Sequence, residues 1–126
     1  MGENDPVVIS GGGPVAMVLS LALYRAGVPF IALETLHEPF MDQRAASYHP
    51  PTIEMLEELG LTDEIIPEGL KSPLYRFHDR VTRDVVAEFD LGDLRNELKF
   101  PYVLQYEQYK LVRKILALFG DRADFD

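Results

Sequence analysis

Val7-Val8-Ile9-Ser10-Gly11-Gly12-Gly13-Pro14-Val15-Ala16 is the stretch that decides how this chain folds. An apolar, β-branched run ends in three glycines, which suits a strand buried on both faces, as in parallel sheets. Behind the glycines, Pro14 stands where the first turn of a helix tolerates a missing N–H. Val15, Val18, Leu19, Ala22, Leu23 and Ala26 then recur at helical spacing, and Gly27 is placed to cap the end. Phe30-Ile31-Ala32-Leu33 is a second continuous apolar run, and it stops at an acid, Glu34. Strand, helix and strand are complete by that residue.

Gly11-Gly12-Gly13-Pro14-Val15-Ala16 fits the spacing G-x-G-x-x-A, directly after a strand and at the mouth of a helix. In that setting Gly11 allows the tight turn. Gly13 lacks the Cβ that would keep a pyrophosphate from the backbone, and the small Ala16 lets helix and strand pack closely. Free N–H groups of the first helical turn, around Pro14, Val15 and Ala16, then face the phosphates, assisted by the helix dipole. Glu34 ends the second strand, where a carboxylate can accept from both ribose hydroxyls of an adenosine. A 2′-phosphate would meet its negative charge, which argues against NADP at this position but does not separate NAD from FAD.

Further along, Asp42 to Tyr48 reads as loop. Pro50-Pro51 opens a helix with Ile53, Leu56 and Leu59 on its apolar side and Gly60 as its stop. A short helical turn around Asp63 to Ile66 ends at Pro67. Tyr75 and Phe77 alternate with Arg76 and His78, and further on Val85, Ala87, Phe89 and Leu91 alternate with Val86, Glu88 and Asp90, which predicts an antiparallel pair with one wet face. The last long element runs from about Gln105 to Phe119, with Val112, Ile115, Leu116 and Phe119 on one side and Gly120 as the stop. The fold class is therefore α/β: a Rossmann-like βαβ unit with a parallel sheet, plus an antiparallel hairpin within residues 70–100. Only two strands of the parallel type are visible, so residues 1–126 read as the front portion of a larger domain.

Twelve basic residues against 21 acidic ones leave a formal charge of -9, which repels nucleic-acid backbones and anionic lipid. No apolar run approaches the roughly 18 residues of a membrane helix, and Glu3 and Asp5 stand where a signal peptide would want basic residues, so a soluble, cytoplasmic protein is expected. There is no cysteine, and His37, His49 and His78 show no zinc-like pairing, so no metal site is expected.

Val8 to Ala16, Gly27-Val28-Pro29, Glu34, Arg44-Ala45 and His49-Pro50-Pro51-Thr52-Ile53-Glu54-Met55-Leu56, in this order, closely resemble the start of the FAD-dependent aromatic-ring monooxygenases. Tyr102-Val103-Leu104-Gln105 leading into a helix is similar to that family as well. The resemblance implies FAD as cofactor, with Arg44 and Gln105 contacting its pyrophosphate and ribityl region. It also implies a parent enzyme that hydroxylates a phenolic or related small aromatic substrate with NAD(P)H and O₂. An arginine offers fixed donors to phosphate oxygens, and Gln105 can donate or accept without adding charge. The hairpin would begin the family's substrate-domain sheet.

There are departures from the family pattern. Ala16 replaces the usual third glycine, Pro51 stands where many relatives carry arginine, and the family's later Asp-Gly and Gly-Asp segments have no counterpart. No residue reads as an acid, base or nucleophile for the hydroxylation, so the catalytic set is empty and the chain by itself is expected to be inactive. Two other readings remain beside this one. The first is an NAD- or ADP-binding module with the same turn, and the second is a non-catalytic unit that self-associates through an open sheet edge.

Overall fold

The computed structural model describes residues 5–38, 41 and 45–120. The elements, in chain order, are β1 (Val7–Ser10), α1 (Pro14–Arg25), β2 (Phe30–Leu33), β3 (Ser47–Tyr48), α2 (Pro50–Glu58), α3 (Thr62–Glu68), β4 (Leu70–Ser72), β5 (Leu74–His78), β6 (Val85–Asp90), β7 (Val103–Gln105) and α4 (Gln108–Phe119), with a 3₁₀ turn at Leu91–Leu94. They form two compact units, Met1–Ala45 with Glu107–Asp126, and Ala46–Tyr106.

In the first unit β1 and β2 pair in parallel, with Val7 opposite Phe30 and Ile9 opposite Ala32. A parallel pair needs a crossover, and α1 supplies it. It starts with Pro at the first helical positions and ends through Ala26 and Gly27, the latter at φ +68. α4 packs on α1. Its Leu111, Val112, Ile115 and Phe119 are buried, one stripe at helical spacing, and Phe119 meets Tyr24 and Phe30 edge-on at 5.4 and 6.1 Å.

Two expectations for this unit are corrected. α1 buries Met17, Ser20 and Leu21, whereas Val15 and Leu19 face out, Val15 being 83% exposed. The helix is apolar around most of its girth, so spacing alone does not choose the inner stripe; packing on β2 and α4 does. The parallel strands are likewise not buried on both faces. Ile9 and Ala32 are covered, but Val8, Ile31 and Leu33 on the opposite pleat are exposed, because among the described residues nothing lies over them.

In the second unit β7 is the middle strand of an antiparallel sheet in the order β3-β7-β4. Ser47 and Leu70 both stand opposite Gln105, and Tyr48 and Lys71 both stand opposite Leu104. All three strands escape the sequence reading: Ser47–Tyr48 reads as loop, Leu70–Ser72 has no assignment, and of Val103–Gln105 only Gln105 is placed, at the start of the following helix. Strands of two and three residues are too short to display alternation. Gln105 therefore ends a strand, and α4 begins only at Gln108.

α2 follows the sequence reading. Ile53 and Leu56 are fully buried, and Gly60, at φ +60, closes the helix with its N–H on the Glu57 carbonyl at 2.7 Å. α3 runs one residue past Pro67. The hairpin β5–β6 forms as expected, with a bulge between Phe77 and His78. Its Arg76–Glu88 ion pair marks one face. The other carries Phe77 and Phe89 in edge-on contact at 6.0 Å, and both rings are more than half exposed, so the face expected to be dry is open as well.

Candidate functional site

Where β1 runs out, the backbone turns at Gly11, whose φ of +104 is a conformation that a side chain would strain. Its N–H donates to the Leu33 carbonyl at 2.7 Å, extending the β1–β2 ladder by one bond. Gly13 then acts as N-cap of α1 with φ -70 and ψ 176, and no side chain caps the helix. Any residue can adopt that backbone, and a Cβ built on Gly13 would meet nothing within 4 Å. Packing among the described residues therefore does not call for a glycine there. The G-x-G spacing reserves this position for the close approach of a ligand to the backbone.

An open hollow of about 390 Å³ lies at this point, lined by Ser10, Gly11, Gly13, Pro14, Val15 and Ala16 with Ile9 and Leu19. Its size falls in the range of small-molecule sites. The N–H groups of the first helical turn have no i−4 carbonyl to bond, which leaves donors and the positive end of the helix dipole available to an anion. The structure thus brings Gly11, Gly13, Pro14, Val15 and Ala16 together.

Glu34 joins them. Its Oε2 accepts from the Gly12 N–H at 2.6 Å, while Oε1 accepts from the N–H groups of Thr35 at 2.7 Å and Leu36 at 2.9 Å and from the Thr35 hydroxyl at 3.3 Å. The Leu36, Gly12 and Thr35 amides hold the carboxyl below its ordinary range, so it is an anion at neutral pH. An ionised carboxylate has about four acceptor positions. Three donors converge on Oε1 and one on Oε2, so Oε2 is the less occupied oxygen in this structure. The carboxylate stem also explains Gly12: a Cβ there would lie 3.0 to 3.1 Å from Glu34 Cγ, Cβ and Oε2. Gly12, Thr35 and Leu36 are the residues that sequence reasoning missed here, although a third glycine inside the turn was a signal that a side chain would have no room.

Arg44 lies outside the described residues. Gln105 belongs to the second unit, at the end of β7, where its Oε1 accepts from the Ser47 hydroxyl across the strand pair at 2.9 Å. In the same unit the Tyr48 hydroxyl is buried with no hydrogen-bond partner among the described residues, and burial pushes the phenol up to about 12. Among the described residues no three histidine or acidic side chains converge as a metal set, and no helix is long and apolar enough to cross a membrane.

A strand, a glycine turn of this geometry, a helix and a parallel strand ending in an ionised acid define a dinucleotide-binding βαβ unit. Comparison with known proteins sharpens the class. The family described as FAD binding domain matches residues 4–119, and the chain belongs to it. It is similar to 6-hydroxy-3-succinoylpyridine 3-monooxygenase of Pseudomonas putida, 32% identical over 92% of this chain and 29% of that protein. It is 31% identical to para-nitrophenol 4-monooxygenase of a Pseudomonas species, over 79% of this chain and 25% of that one. The crystal structure of p-nitrophenol 4-monooxygenase from Pseudomonas putida superposes with a TM-score of 0.86 at 28% identity, covering 96% of this chain and 30% of that one. The chain thus spans between a quarter and a third of the length of these relatives.

Proposed function

We propose that this chain is the N-terminal part of the FAD-binding domain of a flavin-dependent monooxygenase, with residues 70–100 inserted as a hairpin. The parent enzyme hydroxylates a phenolic or related aromatic ring with NAD(P)H and O₂ in the cytoplasm, and the chain alone is inactive. The observation that carries the reading is the pairing of an unfilled Gly13 with an ionised Glu34 on one glycine turn, in a chain of the FAD binding domain family. Gly11, Gly13, Pro14, Val15 and Ala16 receive the diphosphate, and Glu34 accepts from the adenosine ribose. Arg44 and Gln105 contact the pyrophosphate and ribityl region. The relatives named above act, by their names, on hydroxylated or nitrated aromatic rings, which supports the substrate class.

Bound FAD would supply the oxygen chemistry; this chain's residues bind and orient it. The test is a titration of the chain with FAD, followed by flavin fluorescence and thermal melting, alongside Gly13→Val and Glu34→Lys. Saturable FAD binding that both variants abolish is expected. A melting temperature that rises with NAD but not with FAD would overturn the flavin assignment, and undiminished FAD binding by both variants would overturn the site.

A further inference from the structure

The G-x-G spacing gives its first and last glycine a task and leaves the residue between them open. In this chain that residue is Gly12, and the reasons that hold for its neighbours do not hold for it. Gly11 turns at φ +104, whereas Gly12 has no positive φ, so its backbone would accept a side chain. Gly13 faces open space, whereas the three nearest atoms to a Cβ built on Gly12 all belong to Glu34: Cγ at 3.0 Å, Cβ and Oε2 at 3.1 Å. The Gly12 N–H, on the same residue, donates to Glu34 Oε2 at 2.6 Å. The bare side of Gly12 is thus where the stem of the acid lies, and its amide holds the head.

We infer that Gly12 is a positioning residue for the cofactor and acts through Glu34: the missing Cβ admits the acid against the turn, and the N–H fixes which way its carboxylate faces. This rests on the flavin reading above, in which Glu34 accepts from the adenosine ribose. It divides the three glycines by task, with Gly11 serving the backbone, Gly13 the diphosphate and Gly12 the sugar. Glu34 is exposed, and its side chain can swing away from a new methyl without disturbing the core. A methyl at Gly12 therefore moves the acid and leaves the fold, which makes the role separable from stability. An acid displaced in this way loses a charge-assisted bond, and its pKa rises toward the ordinary carboxylate value, because the Gly12 amide is one of the donors that lower it.

The test is FAD affinity of the full chain by fluorescence titration for wild type, Gly12→Ala, Glu34→Ala and the double variant Gly12→Ala/Glu34→Ala. It is joined by a ¹³C NMR titration of the Glu34 carboxyl in ligand-free wild type and Gly12→Ala. Gly12→Ala is expected to weaken FAD by about 5- to 20-fold. In the Glu34→Ala background the same change should add less than about 2-fold, since the group it acts through is gone. The Glu34 midpoint should move upward in Gly12→Ala. Unchanged FAD affinity in Gly12→Ala, equal losses in the two backgrounds, or an unmoved Glu34 midpoint would overturn the positioning role while leaving the flavin reading intact. So would unfolding of Gly12→Ala, because the methyl would then have moved more than the acid. Failure of wild type to bind FAD would overturn both.

Discussion

The amide of Gly12 donates to Glu34 Oε2 at 2.6 Å, which ties the end of β2 to the turn that follows β1. The acid that the sequence offers to a ribose is thus already employed in shaping the turn that would hold the phosphates. Its orientation is set by the chain's own amides.

That relationship has a pH signature. Hydrogen bonds from Leu36, Gly12 and Thr35 lower the Glu34 pKa in the folded chain, so the unfolded chain binds the proton more readily. The resulting stability is complete above the unfolded value, near 4.5, and is lost as pH falls through the folded one. Urea melts of wild type and Glu34→Gln should differ at pH 7, with wild type the more stable, and should converge as the pH is taken below 4.5 toward acid unfolding. A constant gap across that range would contradict the assignment.

Gly11 and Gly13 should respond in opposite ways. Gly11→Ala forces a side chain into φ +104 and should cost about 1–2 kcal/mol of stability. Gly13→Ser puts a favoured N-cap residue where a Cβ meets nothing, so stability should hold within about 0.5 kcal/mol, while FAD affinity falls by about 10-fold or more. Thermal melting and flavin titration of the two variants separate the effects.

Arg83, in the turn between β5 and β6, has φ +68, the only positive value at a non-glycine residue among those described. Asp79 fixes this turn by accepting from the Val81 and Thr82 amides, each at 2.7 Å. Arg83→Gly keeps those bonds and relieves the backbone, and should stabilise the chain by about 0.5–1 kcal/mol in denaturant melts.

Tyr48→Phe removes a buried hydroxyl that has no partner among the described residues. Leaving such a donor unpaired costs about 1–3 kcal/mol, so the variant should be at least as stable as wild type and melt higher if the ring keeps its place. A clear loss of stability would mean that the hydroxyl has a partner in solution.

Gly69→Ala should do the reverse. The new methyl would stand 2.6 Å from Leu104 Cδ1 and 3.1 Å from the Gln105 carbonyl, and Leu104 is fully buried on the central strand. A loss of about 1–3 kcal/mol is expected from overpacking, measurable in the same melts.

The βαβ unit was legible because its signals are long and agree: two apolar runs, a helix with proline at its start and glycine at its end, and an acid at the second strand's end. The helix α2 and the hairpin were legible for the same reason. What could not be read was set by tertiary contacts. The inner stripe of α1 runs through Met17, Ser20 and Leu21 because α4 and β2 choose it, and α4 enters from the far end of the sequence. Ser47 meets Gln105 across 58 residues of chain, through strands too short to announce themselves. At the site the glycines and Glu34 were found, but the local amides of Thr35 and Leu36 that occupy Glu34 were not, since backbone donors leave no mark in composition.

The uncovered pleat of the parallel pair, with Val8, Ile31 and Leu33, sits on a chain carrying a formal charge of -9. Its charge should hold copies of this chain apart at long range, whereas the exposed pleat would favour contact at short range, and salt screens the repulsion. At about 10 mM salt the repulsion reaches some 30 Å, whereas at about 1 M it is confined to about 3 Å, shorter than a side chain. Ionic strength should therefore set whether the chain stays dispersed or gathers into clusters, with dilute buffer as the condition that keeps it apart.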